Sequence, residues 1–257
     1  MQAMKSPFDL TGQVAVVTGS SKGIGRSIAE IMAAMGAKVV VSSRKADACE
    51  VVAAGIKKAG GEATVIACNI GRRPECEALI KGAQDKYGRL DALVCNAAVN
   101  PYFGPLAGIS DDQFDKIMAT NIKSNLWLAN LAAPSMAERG GGSIIIVSSI
   151  GGLKGSDRLG AYGISKAADF GLSRALAVEW GPKNIRVNAI APGLVKTDFA
   201  KALWDDPVNL AKRTSTTPLR RIGEPHDIGG IAAFLASPAA AFITGQVIVA
   251  DGGVTIA

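Results

Sequence analysis

Near the start of the chain an apolar run, a glycine-rich turn and an apolar-faced helix follow one another without a break. Val14-Ala15-Val16-Val17 shows no polar alternation, the mark of a strand buried on both faces. Thr18-Gly19-Ser20-Ser21-Lys22-Gly23-Ile24-Gly25 comes directly after it. Ser27 to Met35 then reads as a helix stopped by Gly36. Glycines at these places permit a tight turn and close backbone approach, and the helix N-terminus offers free N–H groups to an anion. The spacing is GxxxGxG, not GxGxxG. Alone it could be a purely structural turn. Between a strand and a helix it predicts a dinucleotide site made by Gly19, Ser21, Lys22, Gly23, Ile24 and Gly25.

The remaining chain repeats the alternation. Further strands are read at Lys38 to Ser42, Thr64 to Cys68, Ala92 to Cys95, Ile144 to Val147, Ile185 to Ile190 and Gln246 to Ala250. Helices are read at Asp47 to Ala59, Arg73 to Tyr87, Asp111 to Arg139, Gly160 to Trp180 and Glu224 to Ala236. Strands alternating with helices predict an α/β fold, a Rossmann-type doubly wound parallel sheet of about seven strands with helices on both faces. With 257 residues and no repeat or linker, the chain reads as one domain, 1–257. The stretch 194–221 is long and follows a strand's carboxyl end, so it is either a substrate lid or an oligomer contact.

The end of the second strand bears on the cofactor. An acidic residue about 20 positions past the glycines would bind a ribose 2′-hydroxyl and favour NAD. Here the sequence is Ser42-Ser43-Arg44-Lys45. A hydroxyl at Ser43 and a guanidinium at Arg44 suit a 2′-phosphate, with Lys22 in support, so NADP is expected and NAD is the alternative. Arg44 and Lys45 could also simply begin a solvated helix. Asn69-Ile70 would border the adenine, and the small residues of Asn96-Ala97-Ala98-Val99 either admit a flat cofactor or only pack tightly.

Composition narrows the chemistry. The chain has one histidine, His226, which rules out a multi-His metal site; no metal is expected. His226 follows Pro225 in what reads as a helix start, a capping context rather than a catalytic one. The net charge of +6 is scattered, with no basic run carrying aromatics, so no nucleic-acid partner is expected. The four cysteines show no CxxC spacing and no 18-residue apolar stretch occurs, so a soluble protein of a reducing, cytoplasmic compartment without membrane partners is expected. The terminus Thr255-Ile256-Ala257 is not a peroxisomal address.

With so little histidine, proton transfer needs another group. Tyr162 and Lys166 are four apart, one turn on one face of the helix. Free tyrosine ionises near pH ~10. An ammonium about 4 Å away supplies about 4 kcal/mol at an effective dielectric of ~20, enough to make the phenol a usable acid/base near neutrality.

Taken together these motifs resemble the short-chain dehydrogenase/reductase family over about residues 10 to 253. They fall in that family's order: the Thr18-to-Gly25 turn, Asn96-Ala97, Asn121, Ser149, the Tyr162–Lys166 pair, Pro192-Gly193 with Thr197, and Asp251-Gly252-Gly253. Ser149 stands thirteen residues before Tyr162, as the family pattern asks. The resemblance implies that Tyr162 exchanges a proton with the substrate oxygen and Ser149 hydrogen-bonds it. It implies that Lys166 favours the phenolate and binds the nicotinamide ribose, and that Asn121 holds a water linking Lys166 to solvent. Val195 and Thr197 would orient the nicotinamide amide beside Pro192 and Gly193. Two departures stand out: Ala where glycine is common in Asn96-Ala97-Ala98, and Asn69 where aspartate usually contacts adenine. The branch most similar is that of NADPH-dependent carbonyl and retinol reductases.

The expectation is therefore an NADP-dependent oxidoreductase moving hydride between nicotinamide and a carbonyl or secondary alcohol. An NAD-dependent alcohol or hydroxyacyl dehydrogenase, a non-catalytic dinucleotide binder and a scaffold subunit are the alternatives. The substrate partner is a small-molecule carbonyl or alcohol, bound by Ser149 and Tyr162 with Tyr102, Ile150, Leu153 and Trp204, joined by Phe103 and Leu159. Tyr102 and Phe103 could equally be local core. By analogy with the family, a homotetramer is expected.

Overall fold

Five consecutive buried residues, Val14–Thr18, form strand β1. A strand with no polar face must be covered on both sides. Its alternate side chains enter opposite layers. Ala15 and Val17 join a core with Ile28, Met32, Val52 and Ile228. Val14 and Val16 join a second core with Leu79, Leu93, Leu128 and Met136. In the computed structural model, which describes residues 6–257, β1 lies inside a seven-stranded sheet. The other strands are β2 (Lys38–Ser42), β3 (Glu62–Val65), β4 (Ala92–Cys95), β5 (Gly142–Val147), β6 (Ile185–Pro192) and β7 (Val247–Ala250). Their order is β3-β2-β1-β4-β5-β6-β7 and every pairing is parallel.

Helices α1 (Gly23–Ala34), α2 (Ala46–Lys58) and α8 (Pro225–Ala236) cover the first core. Helices α3 (Arg73–Tyr87), α5 (Ser124–Glu138) and α6 (Gly160–Trp180) cover the second. Two more helices, α4 (Asp111–Met118) and α7 (Pro207–Thr216), complete the set. The doubly wound parallel architecture is the one expected. Sheet order reverses between β1 and β4, and a crevice opens at such a point beyond the strands' carboxyl ends. Among the described residues no helix is long and apolar enough to cross a membrane.

Two local readings need correction, and two gain detail. Helix α1 starts at Gly23, four residues earlier than Ser27, so the end of the glycine turn is already helical. Strand β3 is Glu62–Val65 rather than Thr64 to Cys68. Past Val65 single hydrogen bonds from Ile66 to Val41 and from Cys68 to Ser43 continue along β2 without strand geometry. The region 111–139 is helical as expected, with a π-turn, Ala119–Lys123, between α4 and α5. The segment 194–221 is folded, with a 3-10 helix at Asp198–Leu203 ahead of α7. His226 lies on the exposed first turn of α8 behind Pro225, with Glu224 and Asp227 capping reciprocally.

Candidate active site

The glycine turn is fixed by close packing. Gly19 has φ +65° and Gly23 φ +57°, a region open to glycine without strain. A Cβ on Gly25 would fall 2.4 Å from both the Gly19 carbonyl oxygen and Asn96 Nδ2. Asn96 explains the crowding. Its Nδ2 donates to the carbonyls of Thr18 at 2.9 Å and Gly19 at 3.2 Å. Thr18 Oγ1 in turn accepts from the N–H groups of Asn96 at 3.0 Å and Ala97 at 3.2 Å. The end of β4 is thereby bolted to the turn after β1.

A cleft of about 440 Å³ opens at this seam. It gathers Gly19, Ser21, Lys22, Gly23, Ile24 and Gly25 with Ser43, Arg44, Asn69, Ile70, Asn96, Ala97, Tyr162, Lys166 and Thr197. Three expected cofactor residues are not on its wall. Pro192 ends β6, Gly193 packs on Asp251, and the Val195 side chain is buried in the core, so only the Val195 backbone could face a ligand. The wall also holds residues the sequence reading passed over, among them Lys116, Thr120, Asp198 and Phe199.

The donor set fits an elongated polyanion. The N-terminus of α1 points its free N–H groups at the turn. Arg44 is exposed and carries no ion pair among the described residues, whereas Lys22 Nζ meets Asp198 Oδ2 at 3.0 Å. Among the described residues the buried Thr120 hydroxyl has no partner, and it lies on the cleft wall. Asn69 Oδ1 accepts from the Gly71 N–H at 3.1 Å, which leaves its amide nitrogen for an adenine edge.

Across the cleft, α6 presents Tyr162 and Lys166 together, with Lys166 Nζ 5.7 Å from the centre of the Tyr162 ring. Ser149 caps a short 3-10 turn, its Oγ accepting from the Gly151 N–H at 3.0 Å. A Cβ on Gly151 would sit 3.4 Å from Ser149 Oγ and 3.8 Å from the Tyr162 ring, so these two side chains flank one small gap. Asn121 lies in the π-turn and is fully buried. Its Oδ1 accepts from the Val99 N–H at 2.9 Å, and its Nδ2 donates to Val99 O and to Ser165 Oγ, each at 3.0 Å. With the side chain so engaged, a water-holding role would rest on its backbone carbonyl, which already accepts from Asn125 Nδ2 at 2.7 Å.

Lys166 is only 2% exposed. Its Nζ donates to the Val147 carbonyl at 3.0 Å and to Asp169 Oδ2 at 3.1 Å. Burial pulls the ammonium toward its neutral form, but the Asp169 carboxylate and the Tyr162 phenol outweigh it and hold the lysine above its ordinary pKa. Burial likewise raises Asp169, partly offset by Lys166 and by the hydrogen bond from Asn125. Neither Asp169 nor Asn125 was visible as a site residue in the sequence.

The expected substrate residues are only partly assembled. Tyr102 donates its hydroxyl to the Pro105 carbonyl at 2.7 Å and folds onto its own loop, the local-packing alternative. Phe103 is exposed, with the Arg158 guanidinium 5.7 Å from its ring centre. Ile150 packs on Phe170, Ala189 and Ala191. Leu153 is exposed, and Leu159 immediately precedes α6. Trp204 donates Nε1 to the Thr197 carbonyl at 3.0 Å, a bond within the 194–221 segment, whose Thr197 lines the cleft. Phe199, not singled out in the sequence, lies with its ring 6.1 Å from that of Tyr162.

Comparison with known proteins agrees with this geometry. The family described as "Enoyl-(Acyl carrier protein) reductase" matches residues 19–255. "Dehydrogenase/reductase SDR family member 4" of Bos taurus is 42% identical over 251 residues, covering 98% of this chain and 89% of that protein. A putative NAD(P)-dependent gluconate 5-dehydrogenase from Beutenbergia cavernae, solved with NADP, is 34% identical with a TM-score of 0.93, covering 98% of this chain and all of that one. A 7α-hydroxysteroid dehydrogenase solved with NADH and 7-oxo glycochenodeoxycholic acid is 37% identical with a TM-score of 0.92, covering 98% of each chain.

Proposed function

Because the chain belongs to the short-chain dehydrogenase/reductase family of oxidoreductases, we propose that it is an NADP-dependent enzyme interconverting a carbonyl and a secondary alcohol. The observation that carries this reading is the Tyr162–Lys166 pair lining the same cleft as the glycine turn. Bound there, the dinucleotide supplies or accepts the hydride. The first turn of α1 cradles its phosphates, and Arg44 with Lys22 meets the 2′-phosphate. The backbone of Val195 and the side chain of Thr197 orient the nicotinamide amide.

Tyr162 donates a proton to the substrate oxygen in reduction and removes it in oxidation, while Ser149 hydrogen-bonds the same oxygen. The Lys166 ammonium stands 5.7 Å from the centre of the Tyr162 ring, on the side from which its positive charge supports proton transfer by the phenol. Asn121 holds Val99 and Ser165 in place and offers its carbonyl for a water on the lysine's route to solvent. The folded segment 194–221 closes over the substrate through Phe199 and Trp204. A homotetramer belongs to the same reading: β7 is a sheet edge whose Val249 is exposed, and light scattering tests it.

The deciding experiment replaces Tyr162 with Phe. Turnover of NADPH against a panel of ketones, aldehydes and quinones is expected to fall roughly 10²–10⁴-fold while NADPH fluorescence titration stays near normal. Full turnover in that variant would remove the assignment. An NAD-dependent dehydrogenase, the nearest alternative, is separated by comparing kcat/KM for NADPH and NADH.

A further inference from the structure

Asp169 is a carboxylate that the reaction described above does not use, and it is completely buried. A lone charge in that position carries a large desolvation penalty, so its partners define what it does. Oδ2 accepts from Lys166 Nζ at 3.1 Å and Oδ1 accepts from Asn125 Nδ2 at 3.0 Å. The same Asn125 nitrogen donates to the Asn121 carbonyl at 2.7 Å. A continuous polar chain thus runs from the π-turn through Asn125 and Asp169 to the ammonium at the cleft.

We propose that Asp169, anchored by Asn125, is a positioning residue that keeps Lys166 charged and fixes where its ammonium stands relative to Tyr162. The inference rests on the acid/base reading of Tyr162 given above. A buried lysine without a counter-ion sheds its proton, and a neutral amine no longer favours a phenolate. The other acceptor of Lys166, the Val147 carbonyl, is a dipole and cannot replace a full charge. Asp169 itself is absent from the cleft wall, so it acts through the lysine.

The carboxylate also repels a phenolate directly, an effect of opposite sign. Seven residues along α6 separate Tyr162 from Asp169, about 10 Å of rise, against 3.1 Å to the ammonium, so the contact with Lys166 dominates. Among the described residues the other titratable group facing the pair is Cys95 of β4, whose thiol burial keeps protonated. From α5 and the π-turn come the neutral Asn125 and Asn121, and from β5 and its end the Val147 carbonyl and Ser148.

The test reads the ionisation of Tyr162 itself. The chain has three tyrosines, so the tyrosinate absorbance step lost in Tyr162→Phe belongs to Tyr162. Asp169→Asn keeps the shape and removes the charge. It is expected to move that step upward by roughly one to two pH units. Asn125→Leu strips one donor from the carboxylate and is expected to move it the same way by less. A merely structural role would lower the melting temperature and leave the step where it is. A step that stays or falls in folded Asp169→Asn overturns the proposal. Should Asp169→Asn fail to fold, Asn125→Leu decides alone by the same criterion. The functional reading fails separately, by absence of NADP(H)-linked turnover or by an active Tyr162→Phe, because the absorbance step needs no turnover.

Discussion

The two walls of the cleft are held in opposite ways. On the β1 side the site is backbone: the glycine turn, the first turn of α1 and carbonyls clamped by Asn96. On the α6 side it is side chain: a buried ammonium, a buried carboxylate and two buried amides drawn from three elements. A wall of backbone is damaged by adding atoms, and a wall of buried ions is damaged by taking one away. In the proposed reaction the first would recognise a ligand's shape and phosphates, and the second would control a proton.

The strongest way to break this contrast is Lys166→Met. It leaves Asp169 buried without its ammonium, and removing one member of a buried pair costs about 3–5 kcal/mol. Burial then governs Asp169 and keeps its folded pKa above the unfolded value. Such a group stabilises fully below the unfolded pKa, and that stability is lost as pH rises through the folded one. Denaturant melts of this variant should therefore show a deficit that shrinks between pH 7 and pH 4, and adding Asp169→Leu should recover most of it. Next in size is Gly25→Ala. Its Cβ meets the Gly19 carbonyl and Asn96 Nδ2, an overpacking cost of about 1–3 kcal/mol read as a fall of several degrees in Tm. NADPH titration should weaken alongside it.

Two smaller changes probe the charged rim of the backbone wall. Arg44→Ala should reduce the kcat/KM preference for NADPH over NADH by roughly tenfold, the size of a solvent-exposed charge-assisted contact. An unchanged ratio would remove Arg44 from the 2′-phosphate site. Asp198→Asn frees Lys22 from a pair in which both side chains are largely exposed. Such pairs are worth under about 1 kcal/mol, so tighter NADPH binding of at most about fivefold is the expected gain.

The contrast also explains what could be read from the sequence. The backbone wall was legible because its requirements are local: Gly19, Gly23 and Gly25 lie within one turn, and Ser43-Arg44 follows directly on β2. Helix α3 was readable to the residue, since Pro74 and Gly88 punctuate its ends. The edge strand β3 begins at Glu62, ahead of the apolar run Val65 to Cys68, so the apolar signal points too late. Of the ionic wall, Lys166 and Asn121 are legible in the sequence, whereas Asp169 and Asn125 are not. Lys166 and Asp169 at i,i+3 look like any solvated helix pair, and only tertiary burial distinguishes them. Asn125 sits in another helix, and Phe199 meets Tyr162 across many intervening residues.

The π-turn at Ala119–Lys123 sets a phase. Each residue of a helix advances the side-chain direction by about 100°, so one extra residue in a wide turn rotates everything after it relative to everything before. Helix α4 and helix α5 are thereby decoupled in azimuth. Asn121 can aim at Val99 and Ser165 while Asn125, one turn on, aims at Asp169. Deleting a single residue there would leave a smoother helix and swing the downstream face by that same angle. The irregularity works as a fixed gear between two helices, timing two amides to one lysine.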